Sequence, residues 1–223
     1  MIFITWYNLA INLRARGTRY ILVFVKNQTV EALPTPGALN ENARLILDIA
    51  WPLFQQKGYR GLSLDELCER CGLTKPTLYY YFQSKENLYL QVLKRQIDGY
   101  HSAISDETLN TPQRLENLAA IMLEQMNSNW LAMLRDLEHF KNPENLAQIR
   151  AIFARDLLQP LADLMEKAAQ QGELRSDDPE LLAWAFLGLV STFTGRLALF
   201  DQDAQAGARW LVNFFMQGAR QTH

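Results

Sequence analysis

From Asn40 onward the chain is patterned for helices almost without interruption. Between Ala43 and Phe54 apolar residues return every third or fourth position, the period of a helix with one buried face, and Gly58 follows as a stop. Pro52 falls inside that run, and because it lacks the N–H that would bond Asp48 it predicts a kink. Short helices are predicted over about 63–70 and 74–81, and a longer one from Ser84. Amphipathic stretches then cover about 112–128, 130–140, 143–171, 179–200 and 203–220, divided by Asn-Pro, Gln-Gly and Asp-Asp-Pro signals. No alternating strand pattern recurs here, so the fold class is all-α. Residues 1–39 differ: a mixed apolar and basic stretch leads to a strand-like run from Tyr20 to Val25, then to Pro34-Thr35-Pro36-Gly37, which reads as a linker.

The two short helices carry the chemistry. Ser63 can cap the run Leu64 to Arg70, with Asp65 and Glu66 at the positive end of the helix dipole. Gly72 provides the tight turn and Cys68 the small residue that a helix-turn-helix requires where its second helix crosses the first. Thr74 then caps a second helix with Pro76 in its first turn. Leu78 and Phe82, four apart, point inward, whereas Pro76, Thr77, Tyr79, Tyr80 and Gln83 spread over the opposite side with Lys75 at the N-terminal edge. Hydroxyl, phenol and apolar groups crowded on a short exposed helix call for a partner surface, and recognition helices read base edges and thymine methyls in this way. Ser84 caps the next helix and places Lys85 beside its free N–H groups, a phosphate-clamp geometry. Burying Tyr79, Tyr80 and Tyr81 together would instead need a helix apolar on every side.

From Ile46 to Leu88 the chain resembles the TetR/AcrR family of bacterial regulators, most specifically through Thr77-Leu-Tyr-Tyr-Tyr-Phe-Gln-Ser-Lys-Glu86. The resemblance implies base or phosphate contacts from Lys75, Pro76, Thr77, Tyr79 and Tyr80, a DNA-backbone contact from Tyr81, and phosphate contacts from Ser63, Thr74 and Lys85. It also implies a homodimer on a palindromic double-stranded operator, with a C-terminal domain that binds a small effector. Pro52, where a good helix former is usual, and Tyr81, often a histidine, depart from the pattern without touching the reading face. The expected organisation is an N-terminal extension over 1–39, disordered or upstream of the true start; a three-helix DNA-binding domain over 40–86; and a larger helical effector-binding and dimerisation domain over 87–223.

Charge is consistent with a local footprint only. The formal net charge is −2, yet residues 40–96 carry eight basic against six acidic side chains, and residues 97–223 ten against seventeen. Arg14, Arg16 and Arg19 suit either a minor-groove arm or a disordered extension. Cys68 and Cys71 are the only cysteines, a spacing that suits reduced thiols packed as small hydrophobes in a cytoplasmic protein. A zinc site would need further ligands, and His101, His139 and His223 are scattered, so no metal or cofactor is expected. The apolar run from Leu181 to Phe200 is broken by Gly188, Thr192, Gly195 and Arg196 and reads as a buried helix, not a membrane span.

Small residues Ala185, Gly188, Thr192 and Gly195 would let another helix approach closely, and a last helix repeats an apolar face through Ala204, Gly207, Leu211, Phe214, Phe215 and Gly218. Two such helices meeting their symmetry mates would form a four-helix dimer interface. Met126, Trp130, Met133, Phe153 and Trp184 are the expected effector-pocket lining, with Met122, Leu134, Phe140 and Phe193 as further candidates and Asp136, Glu138 and His139 as polar selectors. For any single apolar one of them ordinary core is the favoured reading, because nearly every buried helix face looks like this. No nucleophile paired with a base, no phosphate loop and no metal cluster argues for an enzyme. The expected function is a dimeric repressor released from its operator by a small molecule; the alternative is an effector-independent DNA-binding dimer acting outside transcription.

Overall fold

The computed structural model describes residues 41–125 and 135–219, all within one compact unit. Among them every regular element is helical. α1 (Glu41–Gly61) buries Ala43, Ile46, Leu47, Ala50, Leu53 and Phe54 on one face, the stripe its periodicity predicts. Its dihedrals stay helical through Pro52 and depart at Gly58 (φ 69°, ψ 171°), so the interruption lies at the expected stop, not at the proline. α2 (Leu64–Cys71) and α3 (Lys75–Phe82) form the helix-turn-helix. Gly72 joins them in the left-handed region at φ 64°, a conformation that suits a residue without Cβ, and its N–H bonds back to Glu69.

α4 (Lys85–Ser105) starts beside the helix-turn-helix and runs into the larger bundle, where it packs on α5 (Thr111–Gln125) and α6 (Pro143–Phe153). It spans residues 86 and 87, so one rigid rod carries both parts. The bundle is completed by α7 (Gln159–Gln170), α8 (Pro179–Phe193) and α9 (Ala204–Gly218), with α9 laid on α5 and α7 on α8. Tyr89, Tyr100, Leu115, Leu118, Phe186 and Leu211 fill its core. Among the described residues no helix is long and apolar enough to cross a membrane.

Two expected helices are interrupted, each for a physical reason. The stretch 143–171 contains a π-helical turn over Ala154–Leu158. Pro160 cannot donate the helical bond to Asp156, and that carbonyl is met instead by Nδ1 of His101, 3.0 Å away on α4. The stretch 179–200 ends at Phe193, where Thr194 turns extended and Gly195 adopts φ 71°; a 3-10 turn over Leu197–Phe200 follows. That turn folds the Phe200 ring against Gly207, where a Cβ would stand 2.8 Å from it.

Candidate nucleic-acid interface

Three caps fix the geometry of α3 and of the helices on either side of it. Ser63 Oγ accepts from the Glu66 N–H at 3.1 Å, starting α2 as expected. Thr74 Oγ1 takes the cap position of α3 and lies 2.9 Å from Thr77 Oγ1, while Ser84 Oγ accepts from the Asn87 N–H at 3.0 Å and starts α4. Gln83 joins α3 to α4 at φ 61° and ψ −38°, with the Ser84 N–H reaching back to the Phe82 carbonyl at 2.6 Å. This is a γ-turn with positive φ, a strained arrangement of order 1–3 kcal/mol that throws the chain sharply from one helix into the next.

Between those caps the helix divides as its sequence predicts. Leu78 and Phe82 are buried, together with Leu67, Cys68 and Cys71 from α2. Tyr79 and Tyr80 are 46% and 81% exposed, unusual for phenols with no surface to meet. Lys75 and Pro76 are exposed as well, Thr77 is half-buried, and Tyr81 lies partly covered, edge-on to Tyr80 at 5.1 Å. Ser63, Thr74, Lys75, Pro76, Thr77, Tyr79 and Tyr80 therefore share one region of surface around α3.

Both cations assigned to this face are engaged within the chain. Lys75 Nζ stands 2.8 Å from Asp65 Oδ1, and that hydrogen bond raises its pKa; the pair is exposed, so exchange for a phosphate costs little. Lys85 Nζ donates to the Leu62 carbonyl at 2.5 Å and lies 4.7 Å over the Tyr59 ring, with burial lowering its pKa. Its ammonium is turned inward, so it braces the junction of α1 and α4 in addition to standing beside the α4 cap.

The thiols of Cys68 and Cys71 are free and buried. Burial pushes both pKa values up, aided by the charge of Asp65 at Cys68, which holds them as inert thiols.

The pocket candidates separate. Phe153 and Trp184 come together, their ring centroids 5.6 Å apart, whereas Met126, Trp130, Met133 and Leu134 lie outside the described residues, as do Arg14, Arg16 and Arg19. Met122 is buried core, and Phe193 joins an aromatic cluster with Phe200 and Trp210. Phe140 and Asp136 serve another purpose. Phe140 packs against Tyr59 and Tyr89 at 5.5 and 5.9 Å, and the Asp136 carboxylate accepts from the Tyr59 N–H at 2.8 Å and the Tyr89 hydroxyl at 3.2 Å. Gln125, at the other edge of the undescribed segment, accepts through its carbonyl from Trp51 Nε1 at 3.2 Å and Gln55 Nε2 at 2.7 Å. The larger bundle thus grips α1 on both sides of residues 126–134. Sequence reasoning missed this junction, because nothing local marks an aspartate as the partner of a backbone amide 77 positions away.

Residues 46–92 match the bacterial regulatory proteins of the tetR family, and residues 115–211 match the C-terminal domain of AefR-like transcriptional repressors. The chain belongs to the TetR family. Over 116 residues it is 28% identical to the HTH-type transcriptional activator FasR of Mycolicibacterium smegmatis, covering 50% of this chain and 53% of FasR. The chain spans about half the length of that curated relative, and less of others: the 39% identity with the transcriptional regulator RutR of Escherichia coli extends over 29% of RutR. Among solved structures, a regulatory protein of the tetR family from Rhodococcus RHA1 superposes with a TM-score of 0.66 at 19% identity, over 82% of this chain and 100% of that one, a likeness of fold. AibR, solved with isovaleryl coenzyme A and operator DNA, superposes with a TM-score of 0.59 at 26% identity over 78% of this chain and 97% of AibR. The matched families and these relatives are transcription regulators, not enzymes.

Proposed function

We propose that this TetR-family protein is a dimeric transcription repressor that reads a palindromic operator with α3 and leaves it when a small molecule occupies the C-terminal domain. The observation that carries the reading is the outward pair Tyr79 and Tyr80 on a helix locked by Ser63, Thr74 and Ser84. In this reading Lys75, Pro76, Thr77, Tyr79 and Tyr80 meet base edges or phosphates in the major groove. Tyr81, Ser63, Thr74 and Lys85 meet the DNA backbone, Lys85 after releasing the Leu62 carbonyl.

Dimerisation places two such helices on successive turns of DNA. Ala185, Gly188 and Thr192 are exposed on α8, Gly195 is exposed just beyond its end, Leu181 is a large exposed apolar residue on the same helix, and Trp210 and Phe214 are large exposed apolar residues on α9, together a surface suited to a symmetry mate. The AefR-like match supports repression, and FasR, named an activator, makes a reporter assay the direct test of sign. The AibR complex makes acyl-coenzyme A thioesters the first effector class to screen by thermal shift, with Met126, Trp130, Met133, Phe153 and Trp184 as the pocket.

The test of DNA reading is binding to sites recovered by genomic pull-down. Tyr80→Ala should weaken operator affinity by about 10- to 100-fold, about 1–3 kcal/mol, with little change in the thermal melt because Tyr80 is 81% exposed and its ring meets only Tyr81 among the aromatic contacts of the described residues. Operator binding equal to that of the unsubstituted protein would sink the assignment of α3.

A further inference from the structure

The DNA-reading helix offers only Lys75 as a charged group, and Lys75 and Lys85 already have partners inside the chain. Duplex DNA presents a phosphate charge about every 1.7 Å along its axis, and affinity at ordinary salt comes largely from cations that displace its counterions. A cleft beside the Ser84 cap supplies further cations. It opens between the end of α1, the start of α4 and the segment entering α6, and its walls include Arg60, Ser84, Lys85, His139, Lys141 and Asn145. Arg60 and Lys141 are exposed, and neither takes part in any ion pair among the described residues.

Glu86 is the one carboxylate in the cleft wall, and its charge is outnumbered there by those of Arg60, Lys85 and Lys141, so the cleft keeps a positive excess. Glu86 accepts from the N–H groups of Lys141 at 2.7 Å and Asn142 at 3.2 Å and from Nδ2 of Asn145 at 3.2 Å. Those bonds also fasten the backbone of Lys141 to the first turn of α4, and Asn145 is tied in turn to Asn87 at 3.0 Å. Lys141 therefore holds a fixed place beside the cap from which α4 faces DNA, even though it belongs to the C-terminal bundle. Arg60 is set on the other wall, two residues before the buried Leu62 and three before the Ser63 cap.

We propose that this cleft is a second clamp on the phosphodiester backbone of duplex DNA, in which Arg60 and Lys141 hold phosphates just outside the half-site read by α3. The inference rests on the DNA-binding reading above and extends the footprint to the C-terminal domain. The contact is with phosphate alone, so it adds affinity and register without sequence preference.

The experiment compares the full-length protein with R60A/K141A on an operator duplex and on a scrambled duplex across a salt series. Each lost phosphate contact lowers the slope of log affinity against log salt by about 0.9, so a dimer losing four contacts should lose about 3.6 in slope. The ratio of operator to scrambled affinity should stay constant, the hydroxyl-radical footprint should retract at both outer edges, and R60K/K141R should restore the slope. Both side chains are exposed, so a thermal melt checks that the fold is intact. An unchanged slope in R60A/K141A overturns the clamp while leaving α3 reading in place, as does a variant that binds DNA normally but loses its response to an anionic effector. Absence of salt-dependent duplex binding by the unsubstituted protein would overturn the DNA-binding reading itself, and the clamp with it.

Discussion

Asp136 accepts a hydrogen bond from the backbone N–H of Tyr59 at 2.8 Å, tying the larger helical bundle to the end of the first helix of the DNA-binding part. The same carboxylate bonds Tyr89 on α4, and it lies against Gly58, where a Cβ would stand 3.3 Å from Oδ1. The aromatic rings of Phe54, Tyr59, Tyr89 and Phe140 pack on one another at the same junction. A shift of the bundle near residue 136 must therefore move α1 or break these bonds.

Gly58 should tolerate no side chain. Its φ of 69° with ψ of 171° lies in a region that is essentially glycine's own, so Gly58→Ala should cost about 1–3 kcal/mol before any contact with Asp136. Asp136→Ala leaves the Tyr59 N–H and the Tyr89 hydroxyl without their acceptor, a loss of about 1–3 kcal/mol, and Asp136→Asn should cost less because it keeps an acceptor oxygen. Urea denaturation monitored by tryptophan fluorescence reads all three; equal midpoints for the Ala and Asn variants at Asp136 would refute the role of the bonds.

Alkaline pH should unfold this protein through its phenols. Tyr59 is pushed up to about 12 by burial and by the charge of Glu86, Tyr89 is raised by burial and then by Asp136, and Tyr100 is raised by burial. In the unfolded chain each phenol ionises near pH 10, so above that pH the unfolded state binds fewer protons than the folded one. Stability is fully present below about pH 10 and falls as pH rises through about 10 to 12. Tyr100→Phe should flatten that fall. The Tyr100 hydroxyl is buried with no hydrogen-bond partner among the described residues, so its removal should also raise the unfolding free energy at pH 8, by about 1–3 kcal/mol at most, and with it the urea midpoint. A lower midpoint at pH 8 would show that the hydroxyl has a partner.

His101 and Pro160 should be energetically coupled. His101 meets the Asp156 carbonyl that Pro160 cannot reach, so His101→Ala should cost about 1 kcal/mol. Pro160→Ala restores a helical donor to that carbonyl, and in its background the His101→Ala cost should shrink. A double-mutant cycle by urea denaturation measures this, and strict additivity would count against it.

On the proposed dimer, Trp210→Ala combined with Phe214→Ala should yield monomers. The two rings stack at 5.5 Å on the outer side of α9 and are 51% and 58% exposed, so in the proposed dimer their truncation removes interface area, while Trp210 also gives up its ring contacts with Phe193 and Phe200 and a thermal melt must show the fold intact. Sedimentation velocity should report the change, with a matching loss of operator affinity, since one half-site is read weakly alone. A variant that still sediments as the dimer would place the interface elsewhere.

Part of this architecture is written in short stretches of chain. The Ser63, Thr74 and Ser84 caps, the Gly72 turn and the division of α3 into Leu78 and Phe82 against Tyr79 and Tyr80 all follow from spacing within one or two helical turns. The helix faces of the bundle were less legible. In the last helix Gly207, Leu211 and Phe215 face the protein's own core while Phe214 and Gly218 face outward, a split that an apolar count cannot make because both surfaces are hydrophobic. Phe140 and Asp136, expected near an effector, face Tyr59 instead, and Lys85 turns its ammonium to the Leu62 carbonyl.

The sequence by itself determined the helical class, the helix-turn-helix and the side chains that α3 turns outward, because capping, turn chemistry and amphipathic period act between residues a few positions apart. Only the tertiary structure decided that Asp136 holds Tyr59, that His101 completes the helix broken at Pro160, and that Arg60 and Lys141 share a cleft beside Ser84. These are meetings of residues dozens of positions apart. They arise from how helices stack, and a polar or charged side chain carries no local mark of the partner that stacking will bring to it.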